Sequence, residues 1–252
     1  QPGRLMVVAG RPGSGKSSAA LNLVRSVAAA EFGVYVVSLE MSNHELGVRQ
    51  LSSETALPGS QLLFAPDTLI GSQWAQLERA ADDLTRLNVL IDETASKTID
   101  QIADESRAYV RRNNVGLVVV DHVGLITPTR AQRNLTRQQF IGICTRQLKL
   151  MAKDLQIPVV ALSQLNRNVE GREDKRPRLD DLRESGDVEQ DADQILMIYR
   201  DPKTTDDNTA ELILRKNRCG PCGTVQVVYD RPTTTFRTVA EYAAGTRNGT
   251  PF

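Results

Sequence analysis

The sequence predicts an α/β domain in which helices flank a mostly parallel, twisted sheet that carries an antiparallel hairpin at one edge. Short apolar runs alternate with helical patterns from the start of the chain to Ser163. The run at 116–120 is almost entirely Leu and Val, as expected for a strand buried on both faces. From Gln194 onward the pattern changes to short alternating strands. Strand and helix alternation favours parallel pairing through helical crossovers, and the later strands favour an antiparallel edge.

The predicted elements follow from the period of the apolar residues and from local signals at their ends. Strands are predicted at 4–9, 34–39, 89–91, 116–120 and 158–163, and helices at 16–30, 73–87, 99–112 and 140–155. A further helix is expected after Ser42, because Glu45 stands three residues later at the spacing of a capping box. The segment after Tyr242 is rich in Ala, Gly, Thr and Asn. We expect a disordered tail there, which divides the chain into a domain at 1–242 and a tail at 243–252.

Composition and charge narrow the class of protein. The 252 residues are enough for one large domain, and 40% hydrophobic and 25% charged residues are ordinary values for a globular protein. A formal net charge of zero argues against a protein that coats nucleic acid through a positive surface, so any such contact should be local. No apolar run approaches the ~18 residues that a membrane span needs, and no signal-like segment opens the chain. We expect a cytoplasmic protein without membrane contact.

Two of the three cysteines, Cys219 and Cys222, enclose a Gly-Pro pair. Their spacing is that of a thioredoxin active site. The flanking segments 211–215 and 224–229 alternate as strands do, however, and the residues between them are turn formers. The sequence therefore favours a hairpin turn over a redox or zinc site, because no other Cys or His pair stands nearby to complete a metal site. Three cysteines are also too few for a disulfide framework, which fits a reducing compartment.

Residues 10–17 match the phosphate-binding pattern G-x-x-x-x-G-K-[ST] between a predicted strand and a predicted helix. The glycines let backbone N–H groups turn toward phosphates, and the helix N-terminus adds positive potential. Lys16 is expected to reach the β- and γ-phosphates of ATP, and the Ser17 hydroxyl to bind Mg²⁺. The predicted nucleotide contacts in this segment are Gly10, Arg11, Pro12, Gly13, Ser14, Gly15, Lys16, Ser17 and Ser18.

Three polar residues, Glu40, Asp121 and Gln164, directly follow predicted strands. An ATPase needs a carboxylate near the metal and a group that orients the attacking water. Asp121 suits the first role, so Ser17 and Asp121 are the expected metal ligands, and Glu40 is placed to act as general base. Gln164 could sense the γ-phosphate. Position alone leaves structural roles open, because Asp often ends a strand and Glu40 could complement the dipole of the next helix.

Several segments besides the phosphate loop resemble successive motifs of the bacterial and phage replicative helicases of the DnaB type. They are Ser-Leu-Glu-Met-Ser at 38–42, Val-Val-Val-Asp at 118–121, Leu-Ser-Gln-Leu-Asn-Arg at 162–167, Asp-Lys-Arg-Pro at 174–177 and the acidic stretch at 181–193. The last is the most specific, since generic P-loop ATPases do not carry it. The resemblance extends to about Val239 and implies a RecA-like P-loop NTPase fold.

The resemblance implies an ATP-driven DNA helicase motor that works in a homo-hexamer. It implies that Glu40 is the catalytic base, Asp121 the Mg²⁺-binding acid and Gln164 the γ-phosphate contact, in agreement with their positions after strands. Lys216 and Arg218 match residues that reach into the active site of the neighbouring subunit. Without the resemblance, two solvated charges on an edge strand would be the simpler interpretation.

Arg183, Glu184 and Gly186 match a segment that, in this family, lines the central channel and contacts single-stranded DNA. The chain has no Phe, Tyr or Trp between Phe140 and Tyr199, so tracking of the phosphate backbone fits better than base stacking. A charged surface loop is the alternative. A primase and a helicase loader are the other partners that the resemblance suggests.

The sequence departs from the family directly after Asp121. His122-Val123-Gly124-Leu125 stands where the family usually has an aromatic residue and then Leu-Gln-Leu. We assign His122 no role, because a lone histidine beside an acid is more often a packing residue. The phosphate loop begins only nine residues from the start, so we expect an isolated motor domain without the family's N-terminal domain and linker helix.

Two other classes of protein stay open. A RecA-like recombinase or clock-type ATPase would share the core and the phosphate loop, but the stretch at 181–193 disfavours it. A nucleotide-gated scaffold with little turnover would not need an intact set of catalytic residues. The presence of Lys16, Ser17, Glu40, Asp121 and Arg218 therefore disfavours it.

Overall fold

Nine strands form one sheet in the part of the chain that the structure describes. The structure, a computed structural model, describes residues 1–166, 172, 174–185, 188–201 and 208–247, with the backbone alone at 183–185 and 244–247. The strands are β1 (Leu5–Gly10), β2 (Gly33–Ser38), β3 (Val89–Asp92), β4 (Val115–Asp121), β5 (Val159–Gln164), β6 (Gln194–Tyr199), β7 (Thr209–Asn217), β8 (Gly223–Asp230) and β9 (Thr235–Thr238). Their order across the sheet is β3-β2-β4-β5-β1-β6-β7-β8-β9.

The first six strands in that order are parallel, and the last three are antiparallel to their neighbours. This arrangement confirms the predicted fold class. β7 and β8 form the predicted hairpin, and the turn between them holds Cys219 and Cys222 as exposed free thiols. β9 adds a third antiparallel strand that the sequence analysis did not predict, because four residues carry too little alternation to be recognised.

The described helices cover the two faces of the sheet. They are α1 (Lys16–Ala29), α2 (Asn43–Thr55), α3 (Gly59–Phe64), α4 (Gly71–Thr85), α5 (Ile99–Asn113), α6 (Arg137–Leu155), α7 (Val188–Asp191) and α8 (Val239–Arg247). The four helices predicted from apolar spacing are α1, α4, α5 and α6. α3 and α7, of six and four residues, were missed because so few residues show no helical period. None of the described helices has the length and apolar character needed to cross a membrane.

The capping box predicted at Ser42 is present at the start of α2. The Ser42 hydroxyl accepts a hydrogen bond from the Glu45 N–H at 3.3 Å, and the Glu45 carboxylate accepts one from the Ser42 N–H at 3.0 Å. Another box, which was not predicted, starts α8: the Thr238 hydroxyl accepts from the Glu241 N–H at 3.1 Å. Helix α8 therefore runs to Arg247, into the segment expected to be disordered. The rest of that tail, 248–252, lies outside the described residues.

Apolar side chains pack on both faces of the sheet. Along β4, Leu117 and Val119 pack with α1 on one face, and Val118 and Val120 pack with α5 and α6 on the other. All four side chains are at most 2% exposed. The Leu and Val run is therefore buried on both faces, and it holds Asp121 rigidly at its end.

A buried lysine ties the outer strand β3 to α5. Lys97 is 4% exposed, and its ammonium donates to the carboxylates of Asp92, at the end of β3, and Glu105, in α5. The Tyr35 hydroxyl lies 3.2 and 3.0 Å from the same two carboxylates. Burial by itself raises the pKa of Asp92, but hydrogen bonds from Lys97 and from the Thr94 N–H outweigh it and lower the pKa to about 2. The cluster stabilises β3, an edge strand that pairs with β2 only.

Replacement of this lysine tests the cluster. Lys97→Met should lower the free energy of unfolding at pH 7 by about 3 kcal/mol, because two carboxylates then face each other without their cation. The lowered pKa of Asp92 contributes stability that is present above about pH 4 and is lost as the pH falls toward about 2. The variant lacks this contribution, so its free energy of unfolding should fall less than that of wild type over this pH range. Urea unfolding at several pH values measures both effects. The exposed Lys153→Met is the control, and equal stability of the two variants would contradict the prediction.

Candidate active site

The phosphate loop turns between β1 and α1 through two glycines in the left-handed region. Gly13 has φ 72° and Gly15 has φ 99°, conformations that residues with a Cβ atom rarely adopt. Gly15 also caps α1, and a Cβ atom there would lie 2.9 Å from the Phe236 ring. The loop is therefore fixed both by backbone conformation and by close packing.

Polar groups of the loop are arranged for an anion. The Ser14 hydroxyl oxygen is buried and has no hydrogen-bond partner within the described residues. The Lys16 ammonium donates to the Arg11 carbonyl at 3.1 Å. Burial lowers the pKa of Lys16, and the negative charges of Asp121 and Glu40 oppose that effect. A buried unpaired hydroxyl, a lysine and a helix N-terminus together fit the phosphates of a nucleotide.

Asp121 lies at the end of β4, directly beside the phosphate loop. It is 5% exposed and lines the same small cavity as Ser17. Burial, with a smaller effect from Glu40, raises the pKa of its carboxyl group, and the nearby Ser17 hydroxyl opposes the rise. A carboxylate and a hydroxyl are hard oxygen ligands, which suit Mg²⁺. In the described part of the chain no group of three or more His, Cys, Asp or Glu side chains could hold a metal by itself. The phosphates would have to complete the site.

The other two predicted residues after strands lie at the same sheet edge. β2 pairs with β4 so that Ser38 is opposite Asp121, and Glu40 follows two residues later with a side chain 57% exposed. β5 pairs with β1 so that Gln164 is opposite Gly10, the first residue of the phosphate loop. The structure thus brings Lys16, Glu40, Asp121 and Gln164 together, as their positions after parallel strands predict.

His122, to which the sequence assigned no role, directly follows Asp121 and lies near Glu40. Its Nε2 is 3.8 Å from the Glu40 carboxylate, and its Nδ1 accepts a hydrogen bond from the Gly124 N–H at 3.1 Å. Burial lowers the pKa of His122, and the charges of Glu40 and Asp121 oppose that effect. The peptide bond between Asp121 and His122 is cis.

An aromatic wall that sequence reasoning missed packs against the loop from the antiparallel edge. The Tyr229 hydroxyl is 3.0 Å from the Ser18 hydroxyl, so the Ser18 side chain, which is 1% exposed, faces Tyr229. The rings of Tyr229 and Phe236 are 4.6 Å apart. The Arg200 guanidinium lies 4.7 Å from the Tyr229 ring centroid and donates to the Gly13 carbonyl at 3.3 Å. In the sequence, the alternation along β8 indicated only which of its residues share one face of the sheet, and not that Tyr229 packs against the phosphate loop.

A cleft of about 450 Å³ opens beside the loop, next to this wall. Its lining combines loop residues with side chains from the ends of β6 and β8, including Arg11, Ser14, Tyr199, Arg200, Tyr229 and Arg231. Aromatic faces and guanidinium groups suit the base and sugar of a nucleotide whose phosphates occupy the loop.

Lys216 and Arg218 lie at the opposite edge of the sheet. β7 runs antiparallel to β6, and Asn217 pairs with Gln194 at the start of β6, far from the phosphate loop at the other ends of these strands. The Lys216 ammonium donates to the carbonyls of Glu189 and Gln190, and Arg218 donates to the second of these. The structure therefore separates both residues from the phosphate loop of their own chain.

The segment expected to contact DNA precedes α7. Arg183 and Glu184 lie in a 3₁₀ helix at Leu179–Ser185, where only their backbone is described, and Gly186 lies outside the described residues. The helix is anchored by Leu182, 2% exposed, and by Asp181, whose carboxylate accepts from Arg172 at 2.5 Å.

Comparison with known proteins gives consistent matches over nearly the whole chain. A family model for the DnaB-like helicase C-terminal domain matches residues 1–238. The chain is 38% identical over 231 residues to the replicative DNA helicase DnaB of Geobacillus stearothermophilus, which covers 89% of this chain and 50% of that protein. It is 36% identical over 230 residues to the replicative DNA helicase DnaC of Bacillus subtilis, with the same coverage. The chain spans about half the length of the curated relatives it matches.

Solved structures agree with these matches. One solved ATPase domain superimposes with a TM-score of 0.89 and 33% identity, over 95% of this chain and 86% of that one. A DnaB-like replicative helicase, solved in a study of its interactions with primase, gives a TM-score of 0.88 and 33% identity over 94% of this chain and 57% of that one. The sheet with its antiparallel edge is therefore the fold of these ATPase domains.

A methyl group at Gly15 should damage the phosphate loop. Gly15→Ala must tolerate φ 99° and a contact of 2.9 Å with Phe236, so we expect the affinity for ATP to fall at least about tenfold. The matched control is Gly47→Ala in α2, where an added Cβ atom meets nothing within 4 Å. Equilibrium binding of a fluorescent ATP analogue measures the difference. Equal affinity of both variants would contradict this account of the loop.

Proposed function

Because the chain belongs to the family of DnaB-like helicase C-terminal domains, we propose that it is the ATP-hydrolysing motor of a replicative DNA helicase. The observation that supports this most directly is the convergence of Lys16, Ser17, Asp121 and Glu40 at one sheet edge, with Lys216 and Arg218 at the other. Such a domain holds two halves of an ATPase site on opposite sides.

The first half binds the nucleotide. Residues 10–18 would surround the phosphates with backbone N–H groups and the Lys16 ammonium, and Ser17 and Asp121 would hold Mg²⁺. When bound, Mg²⁺ supplies positive charge to the β- and γ-phosphate oxygens as negative charge develops in the transition state. The buried, unpaired Ser14 hydroxyl and the small cavity that Ser17 and Asp121 line together support this assignment.

Glu40 acts as the general base. Its carboxylate takes a proton from the attacking water while the water oxygen bonds to the γ-phosphorus and the bond to the β,γ-bridging oxygen breaks, which releases ADP and phosphate. Gln164, opposite Gly10 in the sheet, contacts the γ-phosphate and so distinguishes ATP from ADP. The exposed position of Glu40 beside Asp121 supports this role, because water can reach it.

The second half of the site comes from a neighbouring subunit. A head-to-tail contact between identical chains brings one surface of a subunit against a different surface of the next, and such contacts close into a ring when the rotation allows. In a homo-hexamer of this kind, Lys216 and Arg218 meet the phosphates held by Lys16 of the adjacent chain. Their distance from the loop of their own chain supports action across the interface.

Energy from hydrolysis drives movement on single-stranded DNA through the ring. Arg183, Glu184 and Gly186 contact the phosphate backbone in the central channel, consistent with a chain that has no net charge and needs only local contacts. A primase and a helicase loader are further partners, and the solved relative with its primase interactions supports the first. A protein that acts on replicating DNA together with these partners would be located in the cytoplasm. The recombinase, the clock-type ATPase and the scaffold with little turnover are not favoured by the family match.

Glu40→Gln should separate hydrolysis from binding. The variant keeps a side chain of the same size but cannot accept the proton, so we expect ATP affinity within about twofold of wild type and hydrolysis slower by two or more orders of magnitude. Lys16→Ala should instead lose most of the binding itself. Equilibrium binding and single-turnover hydrolysis in the presence of Mg²⁺ test both variants. Normal single-turnover hydrolysis by Glu40→Gln would remove Glu40 from the role of base.

The shared site can be tested by mixing two inactive variants. A trans-acting arginine can be worth about three to five orders of magnitude in turnover, so Arg218→Ala should be nearly inactive and wild-type specific activity should rise with concentration. Mixed with Glu40→Gln, some interfaces pair an intact Glu40 with an intact Arg218, and activity should return. Arg86→Ala, at a side chain 76% exposed directly after α4, is the matched control and should stay active. A rate independent of concentration, with no recovery on mixing, would place the whole reaction in one subunit.

A further inference from the structure

Glu40 has one ion-pair partner in the described part of the chain. The Glu40 side chain is 57% exposed, and the His122 ring is the group that lies within ion-pair distance of its carboxylate, with Nε2 to Oε2 at 3.8 Å. The carboxylate otherwise interacts with the charges of Lys16 and Asp121 at longer range. An exposed glutamate has several rotamers, so a base at this position needs a group that selects one of them.

The hydrogen bonding of His122 determines which ring nitrogen carries the proton and whether that nitrogen faces Glu40. A backbone N–H can only donate, so the bond of 3.1 Å from Gly124 requires that Nδ1 of His122 carries no proton. The ring proton is then on Nε2, and Nε2 is the atom that faces the Glu40 carboxylate. The backbone thus fixes the tautomer that presents a donor to the base.

The turn that follows Asp121 holds the ring in this position. Gly124 lies in a 3₁₀ turn at Val123–Leu125, and its carbonyl accepts a hydrogen bond from Arg137 at the start of α6. A Cβ atom at position 124 would lie 2.7 Å from Nδ1 of His122, so only glycine allows the ring to sit against this turn. His122 itself is only 13% exposed. The ring is therefore fixed, whereas the carboxylate it faces is not.

We propose that His122 is a positioning residue for Glu40: its Nε2–H holds one carboxylate oxygen so that the other faces the water that attacks the γ-phosphate. The distance of 3.8 Å is longer than a hydrogen bond, and it closes when the site tightens around the nucleotide. His122 keeps its proton throughout, and the proton from water goes to Glu40. This inference rests on the proposed role of Glu40 as base, and it gives a function to the residue at which the chain departs from its family.

The test uses His122→Phe, which keeps a ring but removes the donor, and His122→Gln, which restores an N–H at a similar distance from the backbone. His122→Phe should bind ATP with Mg²⁺ within about twofold of wild type yet hydrolyse it about 10 to 100 times more slowly in a single turnover. His122→Gln should recover to within about fivefold of wild type. The exposed His44→Phe in α2 is the matched control and should be unchanged. All measurements use the full chain at concentrations where wild-type activity no longer rises.

A double variant separates this inference from the proposed function. If His122 acts through Glu40, His122→Phe should cause no further loss in the Glu40→Gln background. Wild-type hydrolysis by His122→Phe would overturn the inference, as would a parallel loss of ATP binding, failure of His122→Gln to recover, or an equal further loss in the double variant. If Glu40→Gln itself hydrolyses ATP normally, the proposed base fails as well. If Glu40→Gln is inactive and His122→Phe is normal, only the inference about His122 fails.

Discussion

The parallel alignment of β1, β2, β4 and β5 is the constraint on which the chemistry of this domain depends. Parallel strands end at the same edge of a sheet, so residues far apart in sequence meet there. Ser38 is opposite Asp121, and Gly10 is opposite Gln164. Ser17, at the start of α1, and Asp121, at the end of β4, then line one small cavity, although β4 lies two places from β1 in the sheet. A shift in register would separate the phosphate loop from Asp121 and Glu40, the residues proposed to bind the metal and to act as base.

The reversal of chain direction at β7 places Lys216 and Arg218 at the edge of the sheet opposite the phosphate loop. Because β7 is antiparallel to β6, its end lies beside the starts of the parallel strands. The buried Asp193 carboxylate, 1% exposed, holds this region together, since it accepts hydrogen bonds from the Leu5 N–H at 2.8 Å and from Lys149 at 2.6 Å. Burial raises the pKa of Asp193, but these bonds outweigh it and lower the pKa. The Arg218 N–H donates to the Asp193 carbonyl at 2.9 Å. This bond anchors the residue that is proposed to act on the neighbouring subunit.

The charged groups beside the phosphate loop are arranged for the binding of a ligand rather than for the stability of the fold. Asp121 is a buried acid near a second carboxylate, Glu40, and both conditions raise its pKa. A charged Asp121 is therefore costly in the free protein, and a bound cation would offset that cost. His122 is half-buried, and its Nε2 lies 3.8 Å from the Glu40 carboxylate. Groups that disfavour one another in the fold but suit a ligand are typical of functional sites.

The sequence alone determined the phosphate loop, the strand-end positions of Glu40, Asp121 and Gln164, the capping box at Ser42 and the α/β class. These are local patterns, in which each residue type at a given spacing favours one backbone conformation.

Only the tertiary structure decided which distant groups touch. Tyr229 and Ser18 are separated by 211 residues and meet through their hydroxyls, and no local spacing encodes that contact. The same holds for the His122 ring against Glu40, and for Lys216 and Arg218 at the edge opposite their own phosphate loop. Such contacts depend on strand order, strand direction and side-chain packing, which arise when the whole chain buries its apolar surface.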